Sequence, residues 1–239
     1  KLKKPLDLGF ANFTTLLDRK RFCLEEVRRN QLYSPGIYLD VIPIGTDDHV
    51  VQVGGSGAPI DFLVHMKQFD DSQLAGQLAT SRQLTQEDLS GLAQVVAGFH
   101  QTAQRSLSGI WGSPNDVLQS AIDNVRVLRA LTRNGQQKLQ LDQIEQWTRA
   151  AMARLTSTFK LRKQHGFVRE CHGDLHLGNL VHWQGKLIPF DCIEFNPDFY
   201  WIDVLSEVAF LVMDLDDHGC SSLGWYFLNT YLEHSGDYQ

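Results

Sequence analysis

Apolar and polar positions alternate in two different rhythms along this chain, and the change of rhythm divides it. Up to about residue 67 the apolar runs are short and rich in β-branched and aromatic residues. "IYLDVIPIG" (37–45), "HVVQV" (49–53) and "PIDFLVHM" (59–66) each read as a strand. "GGSG" (54–57) reads as a hairpin turn between the last two, not as a phosphate loop, because it follows the helix. "DRKRFCLEEVRRNQL" (18–32) lacks Gly and Pro and predicts one helix, stopped by "SPG" at 34–36. This segment predicts a small antiparallel sheet with one helix against it.

Beyond Phe69 the rhythm becomes helical. Leu89, Leu92, Val96 and Phe99 recur at helical spacing behind a Thr85/Asp88 capping box. Residues 115–131 and 139–159 predict two more long helices, the second stopped near Gly166. The region from Trp201 predicts helix again. His100, at the edge of an apolar helix face, reads as a packed or surface residue rather than a ligand.

Composition narrows the function. Of 239 residues, 43% are hydrophobic and 21% charged, with a net charge of −6. That balance disfavours a nucleic-acid grip, which needs a basic surface; "KLKK" (1–4) and "RKR" (19–21) read as solvated faces or a phosphate-facing lysine. No apolar run reaches a membrane span. The four cysteines form no metal pattern and fit a reducing, cytoplasmic compartment, with Cys171 and Cys192 as small buried hydrophobes. The chain opens without Met on what reads as mid-strand, so the natural protein is expected to start earlier.

The densest chemistry lies in "CHGDLHLGNLVHWQGKLIPFDCIEF" (171–195). "NLVHW" and "KLIPF" read as strands joined by Gln184–Gly185, which makes cross-strand partners sum to 369. Asn179 then faces Phe190, and Gly178 faces Asp191. The mouth of the hairpin gathers Asn179 and Asp191, oxygen donors suited to Mg²⁺. Asp174, five residues before Asn179, can serve beside them as a base. An Asp, an Asn five residues on, and a second Asp after a hairpin is the arrangement that phosphoryl transfer uses.

"HGDLHLGN…PFD" resembles the aminoglycoside phosphotransferase family, the small-molecule branch of the protein-kinase-like fold. The flanks "KLKKPLDLGFANFTTLLDRKRFCLEEVRRNQ", "FHQTA", "FDCIEFNPDFYWIDV" and "AFLVMDLD" are similar to a bacterial group in it often joined to a C-terminal P-loop ATPase domain. The resemblance implies an α+β, two-lobed fold: residues 1–67 as a β-rich nucleotide lobe and 68–239 as a helical lobe carrying a catalytic hairpin. It implies ATP and Mg²⁺ as cofactors and a small hydroxylated molecule as acceptor. Asp174 would be the catalytic base, Asn179 and Asp191 the metal ligands, His172 the scaffold histidine and His176 the second motif histidine. Asp203 would brace the catalytic loop by accepting its backbone N–H bonds. Lys1 or Lys3, which share a strand face, would hold the phosphates, paired with Glu25 or Glu26. The adenine hinge would fall at His65, Met66 and Lys67. The family's first two strands and glycine-rich loop are absent, as is any GxxxxGK[ST] of an ATPase partner. Gly173, Cys192 and Ile193 depart from protein-kinase motifs and argue against switching by activation-loop phosphorylation.

Two rival readings remain. His172, Asp174 and His176 alternate and could ligate zinc in a hydrolase. A nucleotide-sensing module with weak or no kinase activity would carry the same loop. Asp198, Asp214, Asp216 and Asp217 add acidity that suits a cationic acceptor or a solvated surface.

Overall fold

The computed structural model describes residues 1–47, 50–107 and 109–238. In chain order the elements are α1 (Leu16–Tyr33), β1 (Tyr38–Asp47), β2 (Val50–Val53), β3 (Asp61–Met66), α2 (Ala75–Thr80), α3 (Gln86–Thr102), α4 (Pro114–Leu131) and α5 (Gly135–Gln164). There follow β4 (Val168–Glu170), β5 (Leu180–Trp183), β6 (Lys186–Pro189), α6 (Pro197–Tyr200), β7 (Trp201–Asp203), α7 (Val204–Asp217) and α8 (Ser221–Ser235). The protein is mixed α+β with small antiparallel sheets. Among the described residues no helix is long and apolar enough to cross a membrane.

The chain falls into two compact units. One unit takes residues 1–103, 171–200 and 205–239; the other takes 104–170 and 201–204. In the first unit, α1 packs on an antiparallel sheet ordered β2-β1-β3. Leu2 extends the sheet by bridging Leu63, and Lys1 and Val64 exchange backbone hydrogen bonds of 2.8 and 2.9 Å. A Thr15 N-cap starts α1 by accepting from Asp18 N–H.

The order corrects one expectation. β2 and β3 both pair with β1, so "GGSG" is not a hairpin turn between them. It carries the chain from one sheet edge to the other. His49, expected to open the second strand, lies outside the described residues. The crossing is forced by backbone contact: a Cβ on Gly57 would sit 2.2 Å from Thr46 O, and one on Gly45 would sit 2.8 Å from Gly55 O. Gly57→Ala should therefore cost about 1–3 kcal/mol, as overpacking does, read as a lower urea midpoint; an unchanged midpoint would show that the crossing yields freely. Pro43, which has no N–H to give a ladder, sits just beyond the first β1–β2 pair, Ile44↔Val53, where its carbonyl accepts Gly54 N–H.

The main core of this unit is built by α3, α7, α8 and the hairpin β5–β6. Leu89, Leu92 and Val96 from α3 meet Leu180, Leu187, Leu211, Leu215 and Phe227, all buried. Each such side chain contributes about 1.5–3 kcal/mol. The predicted capping box of α3 is present, with Thr85 and Asp88 exchanging bonds. β5 and β6 pair with partners summing to 369, from Leu180↔Pro189 to Trp183↔Lys186. Gln184 and Gly185 both have positive φ (51° and 79°), the geometry of a two-residue hairpin turn.

In the second unit α4 and α5 pack on each other, and β4 pairs with β7. Trp111 and Trp201 stack with centroids 5.2 Å apart. Arg162 grips Asp203 bidentately at 2.7 and 2.8 Å. α5 ends at Gln164 with His165 as its C-cap, and Gly166 (φ 78°) turns the chain.

Candidate functional site

The motif loop lies between the buried chain at Cys171 and the start of β5, and four neighbours fix it. Arg29 of α1 donates to Cys171 O at 2.5 Å and lies over the Tyr200 ring at 3.7 Å. Asn30, next on the helix, accepts Cys192 N–H at 3.1 Å. One turn of α1 thus holds both ends of the motif. From α7, Glu207 accepts Gly173 N–H and Asp214 accepts Leu177 N–H, each at 2.7 Å. These two carboxylates are seven residues apart, two helical turns, and so share a face. Asp203, expected to brace the loop, takes the Arg162 guanidinium, and Glu207 and Asp214 hold loop N–H groups. Glu207 and Asp214, two turns apart on α7, were the signal for that support.

His172 is fully buried. Its Nε2 donates to Phe190 O at 2.9 Å, and Nδ1 accepts Asp174 N–H at 3.3 Å. Burial holds its pKa down, so the ring is neutral and acts as a bridge between loop and hairpin. Gly173 needs its left-handed backbone (φ 88°), and a Cβ there would meet Phe199 O at 2.9 Å.

Asp174 and Asn179 meet. Asn179 Nδ2 donates to Asp174 Oδ2 at 2.9 Å and to Asp174 O at 3.0 Å. With both amide protons so used, Asn179 Oδ1 is left as an acceptor. Asn179 O accepts Phe190 N–H at 2.9 Å, one residue before Asp191. Asp191 has φ 60°, a left-handed conformation unusual outside Gly, Asn and Asp. His176 Nε2 lies 3.5 Å from Asp174 Oδ2, and its Nδ1 accepts Gly178 N–H. Burial alone would raise the Asp174 pKa, but His176, His172 and Asn179 outweigh it and hold the carboxyl below its usual range. The hydrogen bond to Asp174 raises His176 in return.

Asp174 and Asp191 line one cavity of about 440 Å³ with Lys1 and Lys3. Lys1 Nζ lies 2.5 Å from Asp191 Oδ1 and 2.9 Å from Glu26 Oε1. Lys3 Nζ lies 2.6 Å from Glu26 Oε2 and 2.5 Å from Glu194 Oε1. Glu26 is therefore the shared partner, while Glu25 points away to Arg28. Burial would lower the pKa of both lysines; the carboxylates around each outweigh it and keep it raised. Glu194, which sequence reasoning missed, is raised by burial and by the excess of carboxylates. Of the residues expected at a hinge, His65 pairs with Asp40 and Lys67 N–H bonds Ile37 O, and neither they nor Met66 line this cavity.

No family model matches the chain, and no solved structure matches it. It is 28% identical over 238 residues to uncharacterized proteins of Mycobacterium tuberculosis (strain H37Rv) and Mycobacterium bovis, which covers 99% of this chain and 46% of theirs. The chain spans about half the length of the curated relatives it matches.

Proposed function

We propose that the chain is a kinase-like phosphotransferase that moves the γ-phosphate of ATP to a hydroxyl of a small molecule. The observation that carries the reading is that Asp174, Asp191 and Lys1 share one cavity, with Asn179 bonded to Asp174. The donor set fits a hard cation: Asn179 Oδ1 and the Asp191 carboxylate would hold Mg²⁺, which when bound neutralises phosphate charge. Lys1, tied to Glu26, offers an ammonium to the phosphates. The Asp174 carboxylate, kept ionised, accepts a hydrogen bond from the acceptor hydroxyl and orients it, taking its proton as the oxygen–phosphorus bond forms and the β–γ bond breaks to release ADP. Leu6, Leu8, Phe13 and Phe199 give the cavity an apolar wall beside these charged groups. A two-lobed kinase-like fold with residues 1–67 as nucleotide lobe belongs to the same proposal.

The hydrolase reading has less support. His172 is buried with both ring nitrogens engaged, which leaves no lone pair for zinc. Calorimetric titration with Mg-ATP tests the phosphotransferase. Binding in roughly the 1 μM–1 mM range is expected, weakened at least about tenfold in Asp191→Ala. A chain that binds no nucleotide sinks the proposal. Binding without turnover on any of a panel of hydroxylated metabolites would favour the nucleotide-sensing module instead.

A further inference from the structure

Five charged groups beside the cavity form a continuous chain of ion pairs: Asp191–Lys1–Glu26–Lys3–Glu194. Its two ends lie three residues apart on one segment, its lysines two apart on another, and Glu26 stands on α1. The two halves are not alike. Lys1 and Asp191 are each 39% exposed, whereas Lys3 and Glu194 are 8% and 6% exposed. Lys3 has its ammonium between two carboxylates and over the Phe13 ring at 5.3 Å. A buried ion pair contributes little to stability beside an apolar pair of the same size, so its use is to specify geometry.

Resting on the phosphotransferase reading, the geometry points to Lys3 and Glu194 as positioning residues that latch Glu26 in place. Lys3 occupies Glu26 Oε2 and leaves Oε1 to Lys1. Glu194 anchors Lys3 to the segment that carries Asp191. With the latch closed, α1 cannot withdraw Glu26, and Lys1 is held against Asp191 before any nucleotide arrives. The phosphate lysine is then Lys1, and Lys3 never touches ATP. The site is assembled by ion pairs internal to the chain rather than by phosphorylation of a loop.

The test compares Lys3→Met, Lys3→Arg, Glu194→Gln and Lys1→Met by Mg-ATP calorimetry, steady-state kinetics and thermal midpoint. Supporting groups behind a metal or phosphate site typically govern about 10–100-fold in affinity. Lys3→Met is expected to raise the ATP Kd and KM by that factor with kcat largely kept. Lys3→Arg should recover part of the loss, and Glu194→Gln should show a smaller loss in the same direction. Unchanged ATP affinity with only a lower midpoint would overturn the inference and make the pair structural. A loss equal to that of Lys1→Met, unrescued by arginine, would overturn it by making Lys3 a phosphate ligand. If Lys3→Met does not fold, Glu194→Gln decides: unchanged affinity overturns the latch. Failure of the unmodified chain to bind Mg-ATP is a different result, one that removes the phosphotransferase reading and the latch with it.

Discussion

Asp174→Ala is expected to lower phosphate transfer by about 10²–10⁴-fold, the range over which a positioned acid or base acts. Mg-ATP affinity should change little, because Lys1 and Asp191, the groups proposed to meet the phosphates and the metal, stay paired. Single-turnover kinetics beside calorimetry separates the two quantities. The pH profile sharpens the expectation. Asp174 is held below its usual range chiefly by His176 against the opposing effect of burial. A group with a depressed pKa stays ionised through neutral pH, so the rate should fall only well into acid. His176→Ala removes that support and should move the acid limb upward. Near-normal transfer by Asp174→Ala would remove Asp174 from its role.

Glu207→Ala is expected to be the most destabilising change in the loop support, at about 3–5 kcal/mol, the scale for breaking a buried pair from one side. Glu207 is buried, with His100 Nε2 at 3.0 Å on one oxygen and Gly173 N–H at 2.7 Å on the other. His100 in turn meets the Tyr231 hydroxyl at 2.9 Å, so the helices α3, α7 and α8 converge on this one carboxylate. Removing it leaves Gly173 N–H buried without its acceptor, itself about 1–3 kcal/mol. Urea unfolding measures the loss, and Glu207→Gln should lose less because its amide oxygen can still accept. Burial pushes the Glu207 pKa up, but His100, His172 and Gly173 N–H outweigh it, and the net shift is downward. The stability this gives is present above the ordinary glutamate value of 4.5 and is lost as pH falls through the lower folded value. Glu207→Gln should flatten that acid limb; an unaltered limb would show that other carboxylates carry it.

Some of this was legible in residue order because it depends on neighbours in the chain. The α1 and α3 helices, the Thr85 cap and the β5–β6 register are local: a period, a cap or a two-residue turn decides each. The motif spacing fixed which side chains of the loop could meet, and Asp174 and Asn179 do. Other features were hidden because they depend on which strand lies beside which. Three strand-like runs do not say that β1 is central, so "GGSG" read as a hairpin when it is a crossing. The three-residue strands β4 and β7 are too short to carry a period at all.

By itself, the sequence determined the local elements and the motif loop, through forces that act within a few residues: side-chain period, capping and turn conformation. Only the tertiary structure decided between Glu25 and Glu26, set Glu207 and Asp214 against the loop's N–H groups, and brought Glu194 to Lys3. The reason is that charge pairing in a buried site is chosen by distance through space. The Lys3–Glu194 contact joins residues 191 positions apart, and no periodicity in the chain encodes a separation of that kind.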